Sequence, residues 1–470
     1  MAGRFLTLFG PLSRFLPEVG SPTRKVSFNE KLFWTAMALI IYLVMSEISL
    51  FNVAGGGMGF ETLRVIFASN QGTLTELGIG PIVTGGIILQ LLVGAKMINA
   101  DLGNTEDRAL FTAATKIFAI LLTGVQAGAY LLGGVYGSLD LITSIIVFIQ
   151  LLFAGVVLLL LDEMLQKGWG IGSGISLFIL AGVAKSIMWS SFSPFRMDDG
   201  KSYGAFIALG ETILGGRPLG EVFFRLDPSG ALTTLPSMLG FITTVIVFVL
   251  IIYMEGVRVE LPISHANYRG FRGKYPIKLL YVSVLPVIFA SALFANVLIF
   301  AQLLQSQFSN NFFANILGTF GVESGAPTGG LAYYVTAPRS LIAVGADPVR
   351  ALAFVGIMVT FTVIFALTWL EVGGLGPGTV AKQLVDSGMQ IPGFRRSGKS
   401  IEMILKRYIP VVTVLGGAII GLIASVSEFF GVFGSGMGIL LAVGILYQYY
   451  QLLVKEQVAE MYPAFGRVLG

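Results

Sequence analysis

Long apolar runs constrain this chain more than any other feature of its sequence. The longest, "LITSIIVFIQLLFAGVVLLLL" (141–161), has about the 20 residues with which a helix crosses the hydrocarbon core of a bilayer. Lipid offers a backbone no hydrogen-bond partners, so only helices and closed barrels span membranes. Barrel strands would alternate between apolar and polar residues, and this run does not alternate. With 55% hydrophobic and 12% charged residues and a mean hydropathy of +0.83, the chain is predicted to be an all-α polytopic membrane protein.

Ten segments are predicted to cross the membrane, and an external loop at 193–235 divides them into five and five. Because five is odd, the second five-helix half must be inverted relative to the first, as in inverted-repeat membrane proteins. The predicted organisation is a cytoplasmic amphipathic N-terminal segment (1–31), a first five-helix half (32–192), the external loop, a second five-helix half (236–454) and a cytoplasmic C-terminal tail (455–470). The spans are predicted near residues 32–51, 76–96, 109–132, 140–161, 171–192, 236–254, 277–304, 350–370, 404–426 and 436–454.

The distribution of positive charge predicts the orientation of the chain. Lysine and arginine are concentrated in segments 1–31, 255–279 and 371–407, and fewer lie between the spans on the opposite side. The positive-inside rule therefore predicts that both termini of this multi-pass protein lie in the cytoplasm, beneath the cell membrane. The N-terminal segment has no continuous apolar core followed by a cleavage site, so no removable signal peptide is expected.

Two segments combine glycines with branched apolar residues. In "GTLTELGIGPIVTGGIILQLL" (72–92), Ile79 and Val83 are four residues apart and share one helix face. "GWGIGSGISLFIL" (168–180) repeats the arrangement with Ile171 and Ile175. One interpretation is helix packing, because glycine lets membrane helices approach closely. The other is a narrow, dry collar of branched side chains, which would block ions by dewetting.

A short segment precedes the second span on the external side. "FETLRVIFASN" (60–70), bounded by glycines, is long enough for about three helical turns and too short to cross a bilayer. It is predicted to be a half-helix within residues 55–72.

Three long segments resemble one known family, the channel subunit of the Sec protein-conducting translocase, called SecY. They are the two glycine-containing segments above and "VRVELPISHANYRGFRGKYPIKLLYVSVLPVIFASALFAN" (257–296). The resemblance covers nearly the whole chain. The "RVELPI", "YRG" and "YPIK" motifs favour the archaeal and eukaryotic branch over the bacterial one, and we expect an archaeal origin. It implies a pore that moves unfolded secretory polypeptides across the membrane and releases signal and transmembrane helices into lipid through a lateral gate. The implied protein is not an enzyme and has no cofactor or metal site.

The resemblance also assigns roles to individual residues. It places the pore ring on Ile79, Val83, Ile171, Ile175, Ile288 and Leu441. It identifies the half-helix as a plug that contains Phe60, Leu63, Arg64, Ile66, Phe67 and Asn70. The lateral gate lies between the second and third spans and the seventh and eighth, and its polar cluster falls on Thr84, Gln126 and Asn296.

The basic cytoplasmic loops have two interpretations. Their charge fixes the topology of the chain, and Arg and Lys at exposed loop tips also suit contacts with RNA phosphates. In the family these loops dock the ribosome, which implies contacts to ribosomal RNA from Arg258, Arg269, Arg272, Lys274, Arg395 and Arg396. The other implied partners are a SecE-like clamp subunit, a small beta subunit, signal peptides with their nascent chains, and membrane lipid.

A secondary transporter is the alternative function, because inverted halves and glycine-interrupted or proline-interrupted spans also describe transporter folds. A transporter needs ion-coordinating or protonatable groups at the membrane midplane, whereas the interrupted segments here carry aliphatic side chains. The sequence therefore favours the channel. Ion-coupled uptake of a small solute would favour the transporter.

Overall fold

A computed structural model gives the architecture of the chain. It describes residues 11, 16–53, 69–70, 72–94, 97–98, 105–137, 139–197, 200–225, 235–265, 272–282, 285–307, 312–321, 326–390 and 398–461. The first half of the predicted amphipathic N-terminal segment lies almost wholly outside these ranges, and so does the C-terminal tail beyond residue 461.

Five helices form the first half of the bundle. Ser27 starts the first of them with a capping box, in which its side chain accepts the N–H of Glu30 and the Glu30 side chain accepts the N–H of Ser27. The helices are α1 (Phe28–Met45), α2 (Gly80–Gly94), α3 (Thr105–Leu132), α4 (Leu141–Met164) and α5 (Gly174–Phe192), and a π-helical turn (Leu165–Trp169) continues α4. Each lies within a few residues of its predicted span.

The external segment between the halves is folded. Its described part contains α6 (Ala205–Leu214) and α7 (Gly220–Phe223). Side chains of the turn before α6 contact both helices. The Glu211 carboxylate accepts the Ser202 N–H at 2.8 Å and the Ser202 hydroxyl at 2.7 Å, and Lys201 Nζ lies 2.7 Å from Glu221 Oε2. The predicted external loop therefore contains two short helices with their own polar contacts.

The second half contains five further long helices and a second folded external segment. Asp347 and Pro348 start the eighth long helix, because the Asp347 side chain accepts the N–H of Arg350 and Pro348 needs no backbone donor there. The long helices are α8 (Met238–Gly256), α9 (Leu285–Gln307), α13 (Pro348–Val372), α15 (Gly398–Phe429) and α16 (Gly436–Met461). The external segment contains α10 (Phe312–Leu317), β3 (Thr319–Phe320), β4 (Pro327–Gly329), α11 (Gly330–Val335) and α12 (Leu341–Ala346).

The basic segments 255–279 and 371–407, which the sequence predicts to be cytoplasmic loops, contain a small antiparallel sheet. Its strands are β1 (Arg258–His265), β2 (Arg272–Lys278) and β5 (Met389–Gln390), in the order β2-β1-β5. A short helix, α14 (Pro377–Asp386), precedes β5 and packs with it and with α15. The loop assignment was therefore wrong for these strands. The pairing of β1 with β5 joins residues more than a hundred positions apart in sequence.

Of the ten described helices that match predicted spans, all but α2 are long enough to cross a membrane. Nine are long and apolar enough to cross a bilayer. Helix α2 has 15 residues, which gives a length of about 22 Å against a hydrocarbon core of about 30 Å. The turns at 72–79 lead into α2 and supply the rest of this wall of the bundle.

Candidate pore and lateral gate

The start of α2 shows what its glycines do. Gly78 has a φ of +53°, a conformation that favours glycine, and the helix begins two residues later with Pro81 in its first turn. A Cβ atom at Gly85 would lie 3.0 Å from the backbone N of Ala119 in α3. Gly85 therefore permits close packing of α2 against α3, which supports the helix-packing interpretation at this position.

Most of the predicted ring residues belong to, or pack against, one large apolar cluster of buried residues. Ile79 and Leu441 are 1% and 0% exposed and belong to its core, while Val83, Ile175 and Ile288 are partly buried and pack against it. These five residues come from four separate parts of the chain. Ile171 is also buried, but it is outside this cluster, and its N–H donates to Thr35 Oγ1 of α1 at 3.0 Å.

The three predicted gate residues form a connected polar cluster. Gln126 Nε2 of α3 donates to Asn296 Oδ1 of α9 at 3.2 Å, and Asn296 Nδ2 donates to Thr84 Oγ1 of α2 at 3.4 Å. Asn296 Nδ2 also donates to the Ala292 carbonyl within its own helix, at 2.7 Å. Thr84 and Gln126 are buried. We call these three residues the polar latch, since they link the α2–α3 pair to the second half.

The helices on the far side of the latch are joined by aromatic contacts. Phe289 of α9 meets Phe365 and Trp369 of α13 with ring centroids 5.9 and 5.4 Å apart. Phe294 of α9 lies edge-on to Phe361 of α13 at 5.7 Å. Helix α2 contacts both α9 and α13, so the two helix pairs meet along one seam.

Of the predicted plug residues, the structure describes only Asn70. Its side-chain amide donates to the Ser46 carbonyl at the end of α1, at 2.7 Å, and its backbone N–H donates to Thr75. Asn70 therefore ties the end of the predicted plug segment to α1. The remaining predicted residues lie outside the described part of the chain: Phe60, Leu63, Arg64, Ile66 and Phe67.

The predicted ribosome contacts fall partly on the cytoplasmic sheet. Arg258 and Lys274 are exposed on β1 and β2, and Lys274 forms an ion pair with Glu260. The hydrogen bond and the positive charge of Lys274 lower the pKa of the Glu260 carboxyl. Arg272 pairs with Ser264 in the strand register. The other predicted contacts, Arg269, Arg395 and Arg396, lie outside the described residues.

One motif in the basic region has the residue pattern of a nucleotide-binding loop. "GFRRSGKS" (393–400) has the residue spacing of a phosphate-binding loop, a match that the sequence analysis overlooked. Such a loop follows a strand and opens a helix within a βαβ unit. Here the preceding strand, β5, has two residues and pairs antiparallel with β1. The context therefore does not support a nucleotide site.

Two buried acids that the sequence analysis did not single out contact the starts of α5 and α16. Asp162 near the end of α4 is 8% exposed, and Glu428 near the end of α15 is 3% exposed. Each accepts backbone N–H groups from the first turn of the next helix. The only sequence signal was an acid at the end of an apolar run, followed by Gly-Ser-Gly at 172–174 and 434–436.

Together these features define a class: a polytopic helical membrane protein with a large apolar core and a seam between two helix pairs that the polar latch crosses. Its sequence matches the SecY family model over residues 73–450, and the model of the plug domain of Sec61p over residues 40–72. The chain belongs to the SecY family. The plug model overlaps the segment 55–72 that the sequence analysis predicted for the plug.

Relatives of known identity resemble the chain over its whole length. It is 42% identical to the protein transport protein Sec61 subunit alpha of Dictyostelium discoideum, over 97% of this chain and 98% of that protein. A solved structure of a protein-conducting channel superposes with a TM-score of 0.81 at 38% identity. Sec61 in the canine ribosome-channel complex from the endoplasmic reticulum gives 0.79 at 36%. Each structural match covers 97% of this chain and 98% of the other. The Dictyostelium relative is eukaryotic, so it does not support the archaeal origin expected from motif style.

Proposed function

We propose that this chain is the central pore-forming subunit of a protein-conducting channel. It moves unfolded secretory polypeptides across the membrane and releases signal and transmembrane helices sideways into lipid. The observation that carries the proposal is the polar latch, which closes a seam between two helix pairs directly beside the aliphatic cluster. A side exit next to an apolar constriction suits a substrate that either crosses the membrane or enters it.

The aliphatic cluster supplies the seal. Ile79, Val83, Ile175, Ile288 and Leu441 offer no polar group to a hydrated ion, and an apolar constriction excludes ions by dewetting. Ile171, buried in the turn that leads into α5, completes the proposed ring. The plug segment within residues 55–72 covers the external side of this constriction while no polypeptide is present. A secondary transporter is not favoured, because these ring side chains cannot coordinate or exchange a coupling ion.

The partners follow from this role. The ribosome docks on the basic cytoplasmic surface, where Arg258 and Lys274 are exposed to solvent. We propose the same orientation for the termini, both in the cytoplasm. A SecE-like clamp subunit and a small beta subunit complete the complex, and signal peptides with their nascent chains are the cargo. The ribosome complex of the canine relative supports the docking proposal.

Ion conductance of the reconstituted complex tests the proposal. The chain is inserted into planar bilayers with its clamp and beta subunits, and the parent is compared with a variant in which Ile79, Val83, Ile171 and Ile175 are Gly and residues 60–70 are deleted. We expect a silent parent and a leaky variant, since the variant lacks both ring and plug. Replacement of Ile142, Ile145 and Ile149, which are 66%, 52% and 59% exposed on α4, by Gly is the control and should stay silent. Equal silence of all three proteins would show that the seal lies elsewhere.

A further inference from the structure

The two buried acids occupy the same place in the two halves of the chain. In each half the fourth long helix ends with a buried carboxylate, and the fifth long helix begins after Gly-Ser-Gly. The first glycine of each triplet has a positive φ, +74° at Gly172 and +72° at Gly434. The repeated arrangement relates α4–α5 to α15–α16, and the fifth helices carry proposed ring residues in both halves.

Asp162 holds the turn that carries Ile171 and Ile175. Its Oδ1 accepts the Ile175 N–H and the Ser173 hydroxyl, each at 3.1 Å. The Gly174 N–H also donates to this carboxylate, and Gln166 Nε2 donates to Oδ2 at 2.8 Å. The carboxylate thus satisfies backbone donors that the first turn of a helix leaves without partners.

Glu428 holds the start of α16 in the corresponding way. Its Oε1 accepts the Gly436 N–H at 2.9 Å, and the Met437 N–H donates to the same carboxylate. Arg339 attracts it electrostatically. Met437 in turn accepts a hydrogen bond from the Ser291 hydroxyl of α9 at its sulfur, at 3.0 Å. The start of α16 is therefore fixed to α15 and to α9, which carries Ile288.

The glycines make these contacts sterically possible. A Cβ atom at Gly174 would lie 2.7 Å from the Cα atom of Asp162. A Cβ atom at Gly436 would overlap the Ser427 hydroxyl and lie 2.8 Å from the Ala424 carbonyl oxygen. In both halves the acid and the missing side chain bring the fifth helix close to the end of the fourth.

We propose that Asp162 and Glu428 are positioning residues of the pore, each of which fixes the start of a helix that carries ring side chains. Asp162 sets the place of Ile171 and Ile175, and Glu428 sets the place of Leu441. Neither acid lines the pore. Both act through the backbone of the helix that they cap, and this inference rests on the proposed function.

Cysteine labelling tests the inference, because this chain has no Cys and an introduced thiol is the only one in it. Two parents carry Ile175→Cys or Leu441→Cys, and each complex is reconstituted with its partner subunits. The rate of reaction with a charged, membrane-impermeant maleimide is then measured. Asp162→Ala should raise the rate at position 175 about tenfold and leave position 441 near its parent rate. Glu428→Ala should do the reverse.

Conservative variants separate positioning from general stability. Asp162→Asn and Glu428→Gln each keep one oxygen that accepts the backbone N–H, so their rates should stay within about twofold of the parent. Glu163→Ala is the matched control: Glu163 is also buried, but its Oε1 pairs with Lys116 at 2.5 Å and with Lys167 at 2.8 Å. It should leave labelling at position 175 unchanged even where it lowers the thermal stability.

The outcomes distinguish this inference from the proposed function. Three results would overturn the positioning role. The first is an equal increase in labelling rate at both positions, and the second is no increase at either. The third is an increase in Asp162→Asn as large as that in Asp162→Ala. A separate measurement tests the pore itself: a signal-bearing chain trapped in the channel should change the labelling of Ile175→Cys in the parent. If it does not, the pore assignment fails, whatever the acid variants do.

Discussion

The polar latch gives a quantitative prediction for Asn296→Ala. Asn296 makes both hydrogen bonds of the polar latch, at 3.2 Å to Gln126 and at 3.4 Å to Thr84. Interhelical hydrogen bonds in membranes are worth about 0.6 kcal/mol each on average, so the closed gate should lose about 1.2 kcal/mol. This loss shifts the gate equilibrium roughly sevenfold toward opening. The intrahelical bond to Ala292 also disappears, but it does not cross the seam.

Signals of graded hydrophobicity measure this shift. Each central leucine favours membrane insertion of a helix by about 0.3 to 0.6 kcal/mol, so Asn296→Ala should accept signals with about two to four fewer leucines than the parent requires. Gln126→Ala should give a smaller shift, because it removes one contact across the seam. The double variant should shift the threshold by less than the two single variants added together, since Asn296 and Gln126 share a hydrogen bond.

Thr360→Ala is the control, because Thr360 is exposed on α13 and bonds only to the Gly356 carbonyl of its own helix among the contacts described. It should leave the signal threshold unchanged. The reasoning about the latch would be refuted if Asn296→Ala raised the threshold, or left it unchanged, while the complex kept the thermal stability of the parent.

Three further predictions follow from local contacts. Gly85→Val should lower the free energy of unfolding by about 1 to 3 kcal/mol, because the valine side chain would meet the α3 backbone. Gly128→Ala is the control and should lower it by less than about 0.5 kcal/mol, because Gly128 has open space around it. Thermal unfolding in detergent measures both variants. The pKa of Glu18 is lowered by its hydrogen bond to Lys167, so the attachment of residues 16–20 should be complete above pH 4.5, the ordinary pKa, and should be lost as the pH falls through the lowered value. Hydrogen exchange of residues 16–27 measures this loss, and Glu18→Gln should abolish the pH dependence. Arg395→Glu should weaken ribosome binding and flatten its dependence on salt in co-sedimentation without a change in folding, and an unchanged salt titration would remove this residue from the contact surface.

The sequence predicted the helices well because apolarity over about 20 residues is a local property. The start of α2 differs from the prediction. The span was predicted from residue 76, but the helix begins only at Gly80, because Gly78 has a positive φ and Pro81 suits the first turn. The resemblance to a family, rather than any local pattern, identified Thr84, Gln126 and Asn296. Their contacts join residues up to 212 positions apart, which a single sequence does not encode locally.

Other features depended on tertiary contacts that the sequence does not display. The cytoplasmic sheet pairs Ser264 with Gln390, so β5 exists only because the second basic segment returns to β1. Asp162 and Glu428 resemble ordinary charged residues at the ends of spans, where snorkelling is the simpler interpretation. Their role appears only when the next helix starts against them, at Ile175 and Gly436. Ile171 remains a prediction for the ring: its backbone N–H donates to Thr35 Oγ1 of α1, and it is outside the apolar cluster that contains the other five predicted residues.

The contacts within and between the gate helices indicate how the seam opens. Helices α2 and α3 approach closely at Gly85, and a larger residue there would collide with the backbone of α3. Helices α9 and α13 interlock through aromatic rings, and Thr362 of α13 donates to the Gly417 carbonyl of α15 at 3.1 Å. Tight packing of this kind resists deformation, whereas the latch contributes only two hydrogen bonds of modest strength. The seam should therefore separate by movement of two groups of helices, α2 and α3 on one side and α9, α13 and α15 on the other. Of the proposed ring residues, Val83 lies on α2 and Ile288 on α9, so separating these helices should also widen the constriction between those two side chains.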